Sequence, residues 1–509
     1  MDFFSVLSMI GGLALFLYGM HVMGDGLSKV SGGKMEKILE GLTSNPLKAV
    51  GLGALVTAVI QSSSATTVMV VGFVNSGIMK LSQAVGVIMG ANIGTTITSW
   101  ILSLSGIESD SFFIQMFKPT SFSPILAIIG VAFLLFAKSE KKKDIGTIFL
   151  GFAVLMFGMD SMSAAVKPLA DVPEFTGILT AFSNPLLGML AGALLTAVIQ
   201  SSSASVGILQ ALCVTGAVSY GVAIPIILGQ NIGTCVTALL SAIGAKKNAK
   251  RAAMVHLYFN IIGTTVFLIV FYGLNMVLHF EFLGQAADAA GIAVAHSAFN
   301  IFATAILLPF SSGLEKLACL TIRDEEETEP QSEAAQLLDV RFLEKPAFAM
   351  EQSRNAAKKM AEASKESLFT ALSMLGDYRE ADAEKVVAEE NNVDEYEDAL
   401  GSYLVKLGQK DLNVHDSRDL SIILHCIGDF ERISDHAVNI MESAKELHEK
   451  ELRFSEKALE ELKVISKAVV DIVDISYEVF ENTNIENAKR VEPLEEIIDE
   501  LNKELKSRH

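Results

Sequence analysis

Thr57-Ala58-Val59-Ile60-Gln61-Ser62-Ser63-Ser64-Ala65 recurs letter for letter as Thr196-Ala197-Val198-Ile199-Gln200-Ser201-Ser202-Ser203-Ala204. Each copy lies in the middle of an apolar stretch. Four consecutive polar side chains are costly in hydrocarbon unless they line a cavity or bind something. A duplicated polar cluster between apolar segments marks a transporter built from two repeats.

The duplication extends well beyond the nonapeptide. At a constant offset of 139 residues, Gly12 meets Gly151, Gly19-Met20 meets Gly158-Met159, and Ser44-Asn45-Pro46 meets Ser183-Asn184-Pro185. Gly53-Ala54-Leu55 meets Gly192-Ala193-Leu194, and Gly77 meets Gly216. Gly90-x-Asn92-Ile93-Gly94-Thr95 meets Gly229-x-Asn231-Ile232-Gly233-Thr234. Repeats therefore occupy about 11–102 and 150–241, aligned without a gap.

Apolar segments fall near 3–24, 47–77, 82–104, 121–137, 145–166, 186–217, 221–243, 252–279 and 290–312. Most are long enough to cross about 30 Å of hydrocarbon as helix. The two that carry Gln-Ser-Ser-Ser are too long for one span and break at the polar cluster. They read as re-entrant hairpins, each entering and leaving on one side with its tip near the bilayer centre.

Basic residues set the orientation. Lys138 with Lys141-Lys142-Lys143 forms one positive loop, and Lys246, Lys247, Lys250 and Arg251 form another; both are expected in the cytoplasm. With a cytoplasmic tail after Leu320, counting spans backward makes the two repeats run in opposite senses. The hairpins then enter from opposite faces. The apolar N-terminus has no basic n-region and reads as a retained first helix, not a signal peptide.

The charge is divided unevenly. Residues 1–320 carry 16 Lys+Arg and 14 Asp+Glu; residues 321–509 carry the remaining 24 and 45, so the halves are +2 and −21 of the net −19. The acidity thus describes a soluble tail and argues against a nucleic-acid surface there. Cys213, Cys235, Cys319 and Cys426 lack disulfide or zinc spacing. No nucleophile–base pair, nucleotide loop or Rossmann glycine pattern points to an enzyme.

A helix break inside a hairpin frees backbone N–H groups that suit an anion. Ser and Thr hydroxyls donate to anion oxygens and also offer oxygen to a small cation. No Lys or Arg lies beside the clusters, so an anion would be held by neutral donors and balanced by co-bound cations. Asn92, Thr95, Asn231 and Thr234 are expected to complete the sites made by the tips. A weaker echo, His256-x-x-Phe259-Asn260-x-x-x-Thr264, returns 40 residues on as His296-x-x-Phe299-Asn300-x-x-x-Thr304. It reads as hydrogen bonding between the last two helices rather than as a proton or substrate element. Asp160 reads as an interfacial charge, and Trp100 as membrane surface.

The paired Gln-Ser-Ser-Ser and Gly-x-Asn-Ile-Gly-Thr motifs resemble the type II sodium–phosphate cotransporters in their bacterial form, over roughly residues 5–315. The resemblance implies sodium-coupled movement of inorganic phosphate. It places Gln61, Ser62, Ser63, Ser64 and Thr66 with Gln200, Ser201, Ser202, Ser203 and Ser205 at the phosphate and sodium sites. Asn92, Thr95, Asn231 and Thr234 would flank them. The large loop between repeats in animal members is absent.

After an acidic linker at 321–340, residues 341–509 read as amphipathic helices near 347–376, 380–409, 416–449, 453–483 and 486–507. Glu390/Asp394, Glu431/Asp435 and Glu495/Asp499 are acidic pairs at i, i+4, and the middle pair precedes His436. Glu390, Asp394, Glu431, Asp435 and His436 are candidates for a divalent or transition metal, with solvated helix surface as the alternative. The tail resembles the PhoU family, without the last helix of its second three-helix unit. An apolar face uncovered there would serve as a homodimer contact.

The expected architecture is all-α: a polytopic membrane transporter of two inverted repeats, each with a re-entrant hairpin, plus a soluble PhoU-like bundle. The expected location is the bacterial cytoplasmic membrane, with phosphate, sodium and the bilayer as partners. Sodium–phosphate symport, phosphate export and a non-transporting phosphate sensor remain as readings. The double repeat argues against the sensor, which needs only one site.

Overall fold

The computed structural model describes residues 3–31, 45–104, 119–168, 182–323 and 337–508, with 172, 177 and 334 besides. Contacts divide the chain into two compact units, Met1–Thr328 and Glu329–His509. Gly32, Lys34, Lys37 and most of the acidic linker lie outside the described residues.

The described residues of the first unit are mostly helical, with one isolated β-bridge between Ser219 and Ala286. The first repeat contains α1 (Phe3–Ser31), α2 (Pro46–Ile60), α3 (Ser63–Asn75) and α4 (Leu81–Ser103). Next comes α5 (Pro119–Phe136). The second repeat contains α6 (Glu140–Val166), α7 (Pro185–Ile199), α8 (Ser202–Cys213) and α9 (Tyr220–Ser241). Then follow α10 (Lys247–Leu278), α11 (Ala289–Leu307) and α12 (Ser311–Thr321). Among the described residues, six helical stretches are long and apolar enough to cross a membrane: Phe4–Val30, Leu81–Ser103, Glu140–Val166, Tyr220–Ser241, Lys247–Leu278 and Ala289–Thr321. α5 is shorter, and the last stretch bends through a 3-10 turn at Leu308–Phe310, where Pro309 breaks the α-helical bonding.

The Ser-Asn-Pro repeat starts the hairpins. Asn45 caps α2 by accepting the N–H groups of Leu47 and Lys48 at 3.0 and 3.3 Å. Asn184 does the same for Leu186 and Leu187 at 3.0 and 3.4 Å. Pro46 and Pro185 follow, where the missing N–H costs nothing.

The repeats are related by a two-fold, and the contact between α1 and α6 gives its direction. A Cβ on Gly12 would stand 3.0 Å from the Gly158 carbonyl oxygen, and one on Gly151 would stand 3.0 Å from that of Gly19. A Cβ on Gly19 would stand 2.7 Å from the Gly151 oxygen, and one on Gly158 would stand 2.7 Å from that of Gly12. Because Gly12 corresponds to Gly151 and Gly19 to Gly158, each contact is the image of another, as in an isologous interface. Rising numbers on α1 meet falling numbers on α6, so the helices are antiparallel. A two-fold that exchanges touching antiparallel helices lies perpendicular to them, and the repeats are inverted.

The same symmetry orders the rest of the unit. α2 packs on α4 as α7 packs on α9; α3 packs on α10 as α8 packs on α11; α4 packs on α11 as α9 packs on α10. The 40-residue echo obeys it too. A Cβ on Gly263 of α10 would meet the Ala303 Cβ of α11 at 3.0 Å, so two equivalent positions touch each other on the axis.

In the second unit, α13 (Pro346–Met374), α14 (Glu380–Leu407) and α15 (Val414–Glu449) pack pairwise around Leu368, Val386, Ala437 and Met441. α16 (Glu456–Asn482) packs on α13, and α17 (Val491–Arg508) packs on α16. Neither α16 nor α17 contains a fully buried residue.

Candidate functional site: two hairpin tips that meet

The break at Gln-Ser-Ser-Ser is a two-residue turn. Gln61 ends α2 in the left-handed region at φ 59°, and Ser62 begins α3 in extended geometry at φ −147°. Gln200 and Ser201 repeat this at φ 58° and −143°. A left-handed non-glycine residue costs on the order of 1 kcal/mol, and such strain concentrates at functional positions.

The chain reverses at each break. Thr57 donates to the Thr66 hydroxyl at 3.1 Å, and Thr196 donates to that of Ser205 at 2.8 Å. Nine residues of continuous helix would separate such groups by about 13 Å. Each pair of helices is therefore a hairpin with its arms pinned just below the tip. The arms span about 22 and 20 Å in the first hairpin, short of the roughly 30 Å of a hydrocarbon core.

The two tips meet. Ser64 lies 3.4 Å from the Gln200 carbonyl oxygen, across 136 residues of sequence. The N-termini of α3 and α8 thus converge, each with its partial positive charge and first-turn N–H donors. Ser62 caps α3 by accepting the Ala65 N–H at 3.2 Å, and Ser201 caps α8 by accepting that of Ala204 at 3.3 Å. Ser63, Ser202 and Ser203 are buried at the same tips.

The symmetry is broken at the glutamines. Gln61 is buried and its Oε1 accepts from Thr98 at 2.9 Å, while its amide NH2 bonds Ala58. Gln200 is exposed, and Thr237, the repeat equivalent of Thr98, has no hydrogen-bond partner among the described residues. One tip is latched to its neighbouring helix and the other is not.

The remaining candidates are placed around this centre. Asn92 and Asn231 are buried and donate to the Ile88 and Ile227 carbonyls of their own helices at 2.9 and 3.1 Å. Thr95 and Thr234 donate to Ala91 and Gln230 at 3.3 and 3.0 Å. Thr66 donates to the Ser62 carbonyl at 3.0 Å, and Ser205 holds the second hairpin's tie. These hydroxyls are committed to backbone or to each other, and that of Ser64 donates to the Gln200 carbonyl, which leaves Ser63, Ser202 and Ser203 as the freer donors at the tips. Thr57, Thr196 and Thr98 are structural partners that the motif reading overlooked; the first two begin the repeated nonapeptide, and only the fold pairs Thr98 with Gln61.

Gly90 and Gly229 bring the motif helices onto the hairpins. A Cβ at Gly90 would overlap the Val50 carbonyl, and one at Gly229 would overlap that of Met189. Trp100 is exposed on the outside of the unit, and its indole donates to the Ser297 hydroxyl at 3.0 Å.

In the tail the metal expectation is not met. Among the described residues no three His, Cys, Asp or Glu stand together to hold a metal, and His436 is exposed. Glu390, Asp394, Glu431 and Asp435 instead form a repelling acidic patch between α14 and α15. Partial burial and then the charges of Asp394 and Asp435 raise the Glu390 carboxyl above its ordinary range. Asp394 is raised by burial, then by Asp435. Glu431 is raised by burial, then by Asp435. Two carboxylates one turn apart satisfy the spacing for a shared ligand, and carboxylates of α14 and α15 influence one another across the helices, but no three of them stand close enough together to form a metal group.

A duplicated helical membrane unit whose inverted repeats each present a broken hairpin to a common centre belongs to the class of secondary transporters. Residues 15–164 and 154–295 match the family described as Na+/Pi-cotransporter, and residues 357–444 match the PhoU domain. The chain belongs to the Na+/Pi-cotransporter family and carries a PhoU domain. Over 494 residues it is 26% identical to a Salmonella typhimurium protein provisionally named inorganic phosphate export protein YjbB, covering 96% of this chain and 87% of that one. It is 29% identical over 313 residues to the uncharacterized protein YqeW of Bacillus subtilis, covering 61% of this chain and 96% of that one. Over 99 residues it is 37% identical to the sodium-dependent phosphate transport protein 2A of Rattus norvegicus, 19% of this chain and 15% of that one. No solved structure shows significant similarity to it.

Proposed function

We propose that the chain carries inorganic phosphate across a bacterial cytoplasmic membrane by sodium-coupled symport, with phosphate held between the two hairpin tips. The observation that carries this reading is the approach of Ser64 to Gln200, which joins both Gln-Ser-Ser-Ser motifs and two helix N-termini in one place. Their donors are neutral, and α3, α4, α8 and α9 contain no Lys or Arg. A multiply charged anion there needs compensating cations, which is the physical case for coupling to sodium. The hairpins act as re-entrant elements entering from opposite faces. The acidic PhoU domain acts in the cytoplasm as a regulator.

Net export is the second reading. It is favoured by the near-full-length likeness to the protein named for phosphate export, whereas the likeness to the sodium-dependent protein covers one stretch. Flux of labelled phosphate into proteoliposomes tests the coupling: an inward sodium gradient is expected to drive accumulation. Equal flux with and without sodium would refute symport and leave export by another driving force.

A further inference from the structure

The interior of the first unit holds a further set of buried polar groups, among them Thr237, the counterpart of Thr98. Nine buried side-chain atoms there, all on α8, α9, α10 and α11, have no hydrogen-bond partner among the described residues. Buried polar groups are ordinarily paired, so such a concentration points to something that they hold.

The four amides among them are one-sided, while the three threonine hydroxyls and the ring nitrogens of His256 and His296 can donate or accept. The amide NH2 groups of Asn260 and Asn300 donate to the His256 and His296 carbonyls, each at 2.9 Å. That of Gln210 donates to Ser99 and Ala289 at 3.0 and 2.9 Å, and that of Gln230 donates to Ser205 at 2.9 Å. Turning any of these amides over would set oxygen against oxygen, so the orientations are fixed. What remains unpartnered is the carbonyl oxygen of all four. A carbonyl oxygen only accepts; it repels an anion and attracts a cation.

The oxygens are arranged in pairs. Thr264 follows Asn260 by one helical turn, and Thr304 follows Asn300; all four side chains are buried, and the Oγ1 of each threonine is unpartnered as well. Residues at i, i+4 share a face with Cβ atoms about 6 Å apart, so each helix carries its two unpartnered oxygens on one face. The stripe on α10 adjoins the second Gly-x-Asn-Ile-Gly-Thr helix, where the Asn260 amide also reaches Cys235 at 3.4 Å. The stripe on α11 adjoins the first, where His296 and Ser99 share a bond of 2.7 Å. The two-fold that exchanges the hairpins exchanges the stripes.

No Asp or Glu occurs in α3, α4, α8, α9, α10 or α11. A divalent cation binds through carboxylates, whereas neutral oxygens suit a monovalent alkali cation. We propose that Asn260 with Thr264, and Asn300 with Thr304, form two symmetry-related sodium sites separate from the hairpin tips. The inference rests on sodium coupling as proposed above. It divides the labour within the unit: donor-rich tips hold the anion, and oxygen-rich stripes hold its counter-ions.

Equilibrium binding of radiolabelled sodium to the purified full chain tests this. Asn260→Leu and Asn300→Leu keep the shape and remove the oxygen; each is expected to raise the sodium half-saturation by about tenfold or more. Asn300→Asp keeps the shape and adds charge, and is expected to lower it, which decides the matter if the leucine variants do not fold. Sodium binding by the wild type that none of the three variants alters would overturn the proposed sites, with water alone satisfying the oxygens, and would leave coupling at the tips standing. A wild type that binds no sodium would overturn both readings.

Discussion

Ser63 and Ser202 occupy equivalent places, buried in the first turn of a helix whose N-terminus faces the other hairpin. A hydroxyl that donates to a charged ligand contributes about 1.5–3 kcal/mol. Ser63→Ala and Ser202→Ala are each expected to weaken phosphate transport by about ten- to hundredfold at unchanged expression and melting temperature. Wild-type flux in both would refute the site. Gly90 acts differently, through space alone. Gly90→Ala drives a methyl group into the Val50 carbonyl and is expected to cost about 1–3 kcal/mol, read as a lowered melting temperature in detergent. An unchanged melting temperature would show that α4 can shift away from α2 freely. At this scale the duplication made most of the centre legible, because a repeated polar cluster in apolar sequence has few structural uses. The Thr98–Gln61 bond was not legible, since a lone Thr in a small-residue helix carries no mark of the partner that folding brings to it.

Helical elements followed from apolar length, and the hairpins from an excess of length around a polar break. The turn itself needed Ser as N-cap and a left-handed Gln, and the Gln is the unexpected part, since glycine adopts that conformation without strain. The His-Asn echo was legible as a pattern but not in its role. Its asparagines bond mainly within their own helices, and the orphaned oxygens emerge only from the packing of α10 and α11. In the tail, i, i+4 acidic pairs suggested a metal; the carboxylates face one another without closing around one. Their repulsion has a pH signature. The Glu431 carboxyl is raised in the folded tail, so its native-state penalty is absent at low pH and appears as pH rises through the raised value. Glu431→Gln is expected to slow hydrogen exchange along α15 of the intact chain at pH 7 and to make no difference below about pH 4. After solvent screening the gain is under about 1 kcal/mol. Faster exchange at pH 7 would mean that Glu431 has a stabilising partner.

For the molecule as a whole, the reciprocal glycine contacts of α1 and α6 imply one perpendicular two-fold for hairpins, motif helices and polar stripes alike. Inverted repeats in a bilayer place corresponding loops on opposite faces. Single cysteines at Gly32 and Val172 are therefore expected to react with impermeant reagents from opposite sides of the membrane; labelling from one side would contradict the inversion. The broken symmetry at Gln61 and Gln200 fits a carrier in which one hairpin is latched while the other is open. The central claim is that the two tips make a single phosphate site, and equilibrium binding of labelled phosphate to the purified full chain tests it most directly. The account predicts one phosphate per chain, with that one affinity weakened by either Ser63→Ala or Ser202→Ala. Two phosphates per chain, with each variant keeping one site of normal affinity, would contradict it.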